Sequence, residues 1–215
     1  LSSYSILPNS QFNNFLTIND PTFHFTDVMP KITGQEHINL NGYYQSAKYF
    51  NDDVVKSLKF VPDVKNEAEI FINKLRQNYD CIVSLHIRRG DNVPKQRGKV
   101  IGGGEIGDTT PHKVFTKEYI VNCIEYFENK CKETSNNILF LVFSDNNMEI
   151  NWCKQNIFND LSYNISYSIG HDDVVDLAIM SMCDHNVISP SSFSWWAAYL
   201  NKNSEKIVIV PDPWF

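Results

Sequence analysis

The chain has little of what builds membrane spans, nucleic-acid surfaces or disulfide frameworks. No apolar run approaches the ~18–20 residues that a bilayer-spanning helix needs, and no signal-peptide pattern is visible. Positive charge is scarce: 19 Lys and Arg against 25 Asp and Glu leave a net charge of -6. That excludes a general attraction to nucleic acid or anionic membrane, so any anion site must be local. The five cysteines (Cys81, Cys123, Cys131, Cys153, Cys183) are odd in number and fall within apparent strands and helices. They are expected as reduced core thiols, neither a disulfide framework nor a zinc site. Internal repeats and low-complexity tracts are also missing. What is present suffices for a folded core: 215 residues, 42% hydrophobic and 13% aromatic.

From about residue 80 onward the pattern alternates. β-type runs at Cys81 to Ile87, Ile138 to Phe143, Tyr163 to Ile169, Asn186 to Ser189 and Ile207 to Val210 are separated by helical periods. The helices are expected at Thr116 to Cys131, Met148 to Ile157, Asp173 to Met182 and Ser192 to Leu200. In the third, Val174, Leu177, Ala178 and Met182 form the expected buried stripe. Strands alternating with such helices predict an α/β fold with a parallel, doubly wound, Rossmann-type sheet carrying helices on both faces. Residues 80–215 are expected to form this nucleotide-binding domain, and residues 1–79 the remainder of an N-terminal lobe and a connector. Strand-like pieces at Thr22 to Val28 and His37 to Tyr44, then helices near Ala47 to Lys59 and Val64 to Gln77, fill the latter. The first residue is Leu1, not Met, and a preceding segment is expected.

Three polar turns follow successive apolar runs. The first is His86-Ile-Arg88-Arg89-Gly-Asp91. In an open α/β sheet ligands bind at the carboxyl ends of strands, and a planar guanidinium grips phosphate through paired hydrogen bonds. A surface ion pair is the plainer alternative. The second is Phe-Ser144-Asp145-Asn146, read either as ligand contact or as an Asp N-cap on the next helix. The third, Ser191-Ser192-Phe193-Ser194-Trp195-Trp196, opens an apolar helix whose free N–H groups and positive dipole end suit a phosphate. The two tryptophans are read as core. Together the three turns describe a nucleotide-diphosphate site made without a metal, arginine standing in for Mg²⁺.

These three segments, with Asn41-Gly-Tyr-Tyr-Gln-Ser-Ala-Lys-Tyr-Phe50, resemble the α-1,2-fucosyltransferases of glycosyltransferase family 11, in the family's order. The resemblance implies a GT-B-like enzyme that transfers L-fucose from GDP-β-L-fucose to a galactose-containing glycan, in α-1,2 linkage, with inversion and without metal. It implies Arg88 or Arg89 on the donor diphosphate with His86 beside it. Ser144, Asp145, Ser191, Ser192, Phe193 and Ser194 would complete the donor pocket, and Asp172 or Asp173 would take the guanine edge. His86, Asp91 and Glu105 are the candidate bases for the acceptor hydroxyl, Asp91 being read first as a structural partner of an arginine. A Gly-Gly-Leu-Gly-Asn-Gln-Met-like loop usual in the family is not matched in Leu1 to Asp20. An impaired nucleotide- or glycan-binding homologue is therefore the alternative. A cytoplasmic location is the simplest expectation, with membrane association through a missing N-terminal segment as the other.

Two rival motifs are weaker. Gly102, Gly104 and Gly107 spell G-x-G-x-x-G, but only Val100-Ile101 precedes them as a strand and Pro111 interrupts the expected helix. A glycine loop over the acceptor cleft fits better than a nicotinamide site. Arg89-Gly90-Asp91 is an integrin-type tripeptide embedded in the larger cluster, and is read as incidental.

Overall fold

The computed structural model describes residues 15–19, 25–27, 37–42, 44, 46–89, 95–96, 99–100, 116–131 and 137–212. The chain divides into two compact units, Leu1–Lys59 and Phe60–Phe215.

In the first unit β1 (Phe15–Asn19) pairs in parallel with β2 (His37–Asn41). A single 3-10 turn at Ala47–Tyr49 and the short α1 (Asp52–Ser57) follow, the latter capped by the Asn51 side chain on Val54 N–H. The continuous helix expected from Ala47 to Lys59 is thus two short pieces. Asn51, with its extended backbone, separates them by starting the second.

The second unit holds α2 (Pro62–Leu75), β3 (Cys81–Ile87), α3 (Lys117–Cys131), β6 (Ile138–Ser144), α4 (Asn147–Asn156), β7 (Ile165–Tyr167), α5 (Asp173–Met182), β8 (His185–Val187), α6 (Ser192–Leu200) and β9 (Val208–Ile209). A two-residue antiparallel pair, β4 (Lys95–Gln96) with β5 (Lys99–Val100), lies between β3 and α3. Five strands form one parallel sheet in the order β7-β6-β3-β8-β9. Counted along the chain this is the 3-2-1-4-5 order of a Rossmann-type fold, with the direction of winding reversing between β3 and β8.

Alternation along the central strands builds two cores. Cys81, Val83, Leu85 and Ile87 of β3 join Ile138, Phe140 and Val142 of β6 against Ile120, Ile124 and Phe127 of α3 and Ile150 and Cys153 of α4. Ile82, Leu139, Leu141 and Phe143 face the other way, onto Ala68 and Ile72 of α2, Val175, Ala178 and Ile179 of α5 and Ala197 of α6. Every residue of β3 is buried, as a strand covered on both faces requires. Because α2 packs on α5, the compact unit starts at Phe60, ahead of the boundary at residue 80 expected from the strand pattern.

Two expectations about helix faces change. In α5 the buried side carries Val175, Ala178 and Ile179, while Val174 is 46% exposed, because the helix wedges between α2 and α6 and buries a broader arc than one stripe. In α6 the residues turned inward are Ser194, Ala197 and Ala198, whose small side chains permit close approach. Trp195 and Trp196 stay half-buried, and Trp195 stacks on Tyr199 with centroids 4.8 Å apart.

Candidate active site

The carboxyl ends of β3, β6, β7 and β8 lie at one edge, since all four strands run parallel. There the chain ends are tied to one another by side-chain hydroxyls. Ser189, just beyond β8, accepts the Arg88 N–H at 2.9 Å and donates to His86 O at 2.5 Å. Ser144 donates to Ile87 O at 2.6 Å.

Strand alternation separates the three basic residues of the first motif. His86 points toward α6, its ring 5.6 Å from that of Phe193. It is 4% exposed, and burial pushes its pKa down to about 4, with Arg88 contributing in the same sense and Asp145 opposing. Its Nδ1 has no hydrogen-bond partner among the described residues. A neutral imidazole of that kind is a weak base at physiological pH. Arg89, two residues after inward-facing Ile87, lies on the α4 side. Its Nε donates to Glu149 Oε2 at 2.7 Å, and its guanidinium carbon sits 3.2 Å from the centre of the Trp152 ring. At 3% exposure it is a buried structural ion pair.

Arg88 is the member that reaches solvent. Its side chain is 36% exposed and its Nη1 contacts Asp145 Oδ1 at 2.5 Å, while Asp145 Oδ2 accepts the Arg89 N–H at 2.8 Å. Asn146, not Asp145, caps α4, through the N–H groups of Met148 and Glu149. Asp145 is thereby released to hold the arginine.

Across the reversal point, α6 begins at Ser192 with Ser191 as its N-cap residue in an extended conformation. The Ser191 side chain makes no capping hydrogen bond among the described residues, so the helix start keeps N–H groups that lack intrahelical acceptors. Ser192 is exposed, and Ser191 and Phe193 are half-buried. Ser194 is fully buried, donating to Ser189 O and Ser191 O, and serves the turn itself. Arg88, Ser191 and Ser192 thus lie at the same edge of the sheet, just beyond β3 and at the start of the helix that follows β8.

Asp172 and Asp173 start α5 and are exposed. A third carboxylate, Asp176, not among the residues expected from sequence, stands one turn further on. It is half-buried, accepts a hydrogen bond from Ser168 at 2.5 Å, and burial pushes its pKa up to about 6. Ser168 follows β7 directly and donates its N–H to Val142 O, which puts the pair at the ligand edge. A charged residue inside the run Val174-Val-Asp-Leu-Ala-Ile was the available signal. Asp91, Glu105 and Gly102, Gly104 and Gly107 lie outside the described residues.

At the opposite edge Cys81, Cys131 and His185 approach within 4.8 Å of one another. All five cysteines are buried free thiols. The Ile207 N–H donates to His185 Nδ1 at 3.1 Å, which puts the proton of the neutral ring on Nε2. A metal at Nε2 would need the other tautomer, so this donor set suits packing better than a cation.

A parallel sheet in this order, wound in opposite directions on the two sides of β3 and β8 and covered by helices on both faces, defines the Rossmann-type class of α/β domains. The family model described as Glycosyl transferase family 11 matches residues 3–214. The chain belongs to that family. It is similar to an alpha-1,2-colitosyltransferase of Escherichia coli, 31% identical over 206 residues that cover 93% of this chain and 64% of that protein. It also resembles the galactoside 2-alpha-L-fucosyltransferase SEC1 of Bos taurus, 26% identical over 83% of this chain and 47% of that one. The chain thus spans between about half and two thirds of the length of these relatives. A solved structure of POFUT1 in complex with GDP-fucose aligns with 80% of this chain and 53% of its own, at 15% identity and a TM-score of 0.49. No helix among the described residues is long and apolar enough to cross a membrane.

Proposed function

We propose that the chain supplies the donor-binding domain of an inverting, metal-independent transferase that moves L-fucose from GDP-β-L-fucose to a galactoside in α-1,2 linkage. The observation that carries this reading is Arg88, half-buried just beyond β3, at the same sheet edge where α6 starts on the other side of the winding reversal. Membership of the family supports the donor class.

Departure of GDP leaves negative charge on the β-phosphate and positive charge on the sugar ring. A fixed guanidinium interacts more strongly with that developing charge than with the ground state, so it lowers the barrier and does not merely tighten binding. Arg88 is assigned this role, because Arg89 is committed to Glu149 and Trp152. Ser191, Ser192 and the N–H groups at the start of α6 hold the same phosphates from the other side. His86, buried and neutral, packs beneath Phe193. Asp91 and Glu105 remain the candidate acceptors of the sugar hydroxyl's proton.

The guanine edge falls to the carboxylates at the start of α5. Asp176 has the desolvated setting in which an ionised carboxylate gains most from two N–H donors. Its raised pKa sets a sign. The folded state binds the proton of Asp176 more tightly than the unfolded chain, so this residue costs stability as pH rises from about 4 to about 6. Asp176→Asn is therefore expected to gain stability relative to the parent between pH 4 and pH 8 while losing GDP affinity. Urea midpoints and calorimetric titration at both pH values check the two halves. Parallel stability curves would remove Asp176 from the argument.

The relationship to a colitosyltransferase favours a second donor, since colitose is L-fucose without its 3-hydroxyl. Offering GDP-linked fucose, colitose and mannose to the intact protein with a galactoside decides between them. Fucose transfer supports the first reading, and transfer of colitose alone replaces it with the second.

A further inference from the structure

An arginine head on a flexible stem is a poor phosphate clamp until something fixes it, because its rotamer freedom must be lost on binding. Here the fixing group is in place. Asp145 contacts Arg88 Nη1 through Oδ1 at 2.5 Å and takes the Arg89 N–H on Oδ2 at 2.8 Å. Its backbone is anchored on both sides: Ser144 donates to Ile87 O, and Asn146 caps α4. One turn into α4, Glu149 receives Arg89, so the two consecutive arginines are tied to the β6–α4 junction by separate carboxylates. The Asp145 side chain is 10% exposed against 36% for Arg88. The carboxylate thus holds the guanidinium from the more buried side of the pair.

We infer that Asp145 is a positioning residue: it aims the Arg88 guanidinium at the departing β-phosphate and does not itself contact the donor. This rests on the transferase reading above. The role has a signature that neither a nucleotide contact nor a purely structural residue shares. Asp145 and the diphosphate draw on the charge of one guanidinium, so neutralising Asp145 relieves competition in the ground state. What is lost is the fixed geometry, which matters as charge develops on the leaving group.

The test is Asp145→Asn in the intact protein, assayed with GDP-fucose and a galactoside, beside Arg88→Lys and the double variant. Expected is a fall in kcat of about 10²-fold, the scale of a small misplacement of a catalytic group. The donor KM and the Kd for GDP should move by less than about threefold, since uniform binding is untouched. The double variant should be no slower than Arg88→Lys alone, because Asp145 acts only through Arg88. Asp145→Glu, which keeps the charge one methylene further out, should recover part of kcat. It also serves as the second probe if the asparagine variant misfolds in urea titration.

A parent protein that neither binds GDP in EDTA nor transfers fucose overturns the transferase reading itself. A parent that does both, with multiplicative effects in the double variant, overturns the positioning role alone. So does a GDP Kd raised tenfold or more by Asp145→Asn.

Discussion

Arg88→Ala is expected to abolish detectable GDP binding, measured by calorimetric titration in EDTA. Truncating one partner of a charge-assisted phosphate contact costs about 2–5 kcal/mol, and a micromolar site has only about 8 kcal/mol in total. The remaining donors at the start of α6 cannot compensate, because a helix terminus contributes about 0.3–1 kcal/mol when partly exposed. Arg88→Lys should fall between, keeping the charge but not the two-pronged geometry. The tie between Arg88 N–H and Ser189 runs through the backbone, so neither replacement removes it. Full GDP affinity in the alanine variant would move the phosphates elsewhere.

Arg89→Ala carries the second large effect, and it falls on stability. The Arg89–Glu149 pair is buried, with side-chain exposures of 3% and 11%, and the ring of Trp152 covers the guanidinium. Removing one partner leaves an uncompensated buried charge, at a cost of about 3–5 kcal/mol. That is a large share of the roughly 5–15 kcal/mol that holds a domain together. The urea midpoint should drop accordingly, and Glu149→Ala should show a comparable loss. Replacing the pair together by Met and Leu should return much of it, since apolar side chains of similar volume carry no desolvation penalty. An unchanged midpoint in both single variants would show that the pair is not buried as described.

The sheet was legible because its strands are covered on both faces. Runs such as Ile138 to Phe143 have no polar face to blur them, and α5 and α6 start and stop where their periods predict. Short edge strands were legible in place but not in length: Tyr163 to Ile169 shortens to Ile165–Tyr167, the three residues in register with Phe140, Leu141 and Val142 of β6. The first unit was least legible. The strand Phe15–Asn19 was not foreseen, whereas its partner His37–Asn41, exposed throughout, falls within the strand-like piece expected at His37 to Tyr44.

At the site, residue types revealed the edge but not the division of labour. Arg88 and Arg89 look alike in sequence, yet alternation carried past Ile87 sends Arg89 to the α4 side, where Glu149 and Trp152 wait one turn into that helix. Asp145 was read as a cap or a ligand contact. Its hold on Arg88 depends on Asn146 taking the capping role, a choice between neighbours that only the local backbone decides. Asp176 was missed because an acidic residue in the first turn of a helix is ordinary, and only its burial against Ser168 sets it apart.

The most direct test of the account is transfer itself. The intact protein would be incubated in EDTA with GDP-β-L-fucose and a galactoside, and the product's linkage and anomeric configuration read by proton NMR. The expected result is an α-1,2-linked fucosyl product, formed without divalent metal and lost in Arg88→Ala. Product that appears only when a divalent cation is restored, or transfer undiminished in Arg88→Ala, would contradict it.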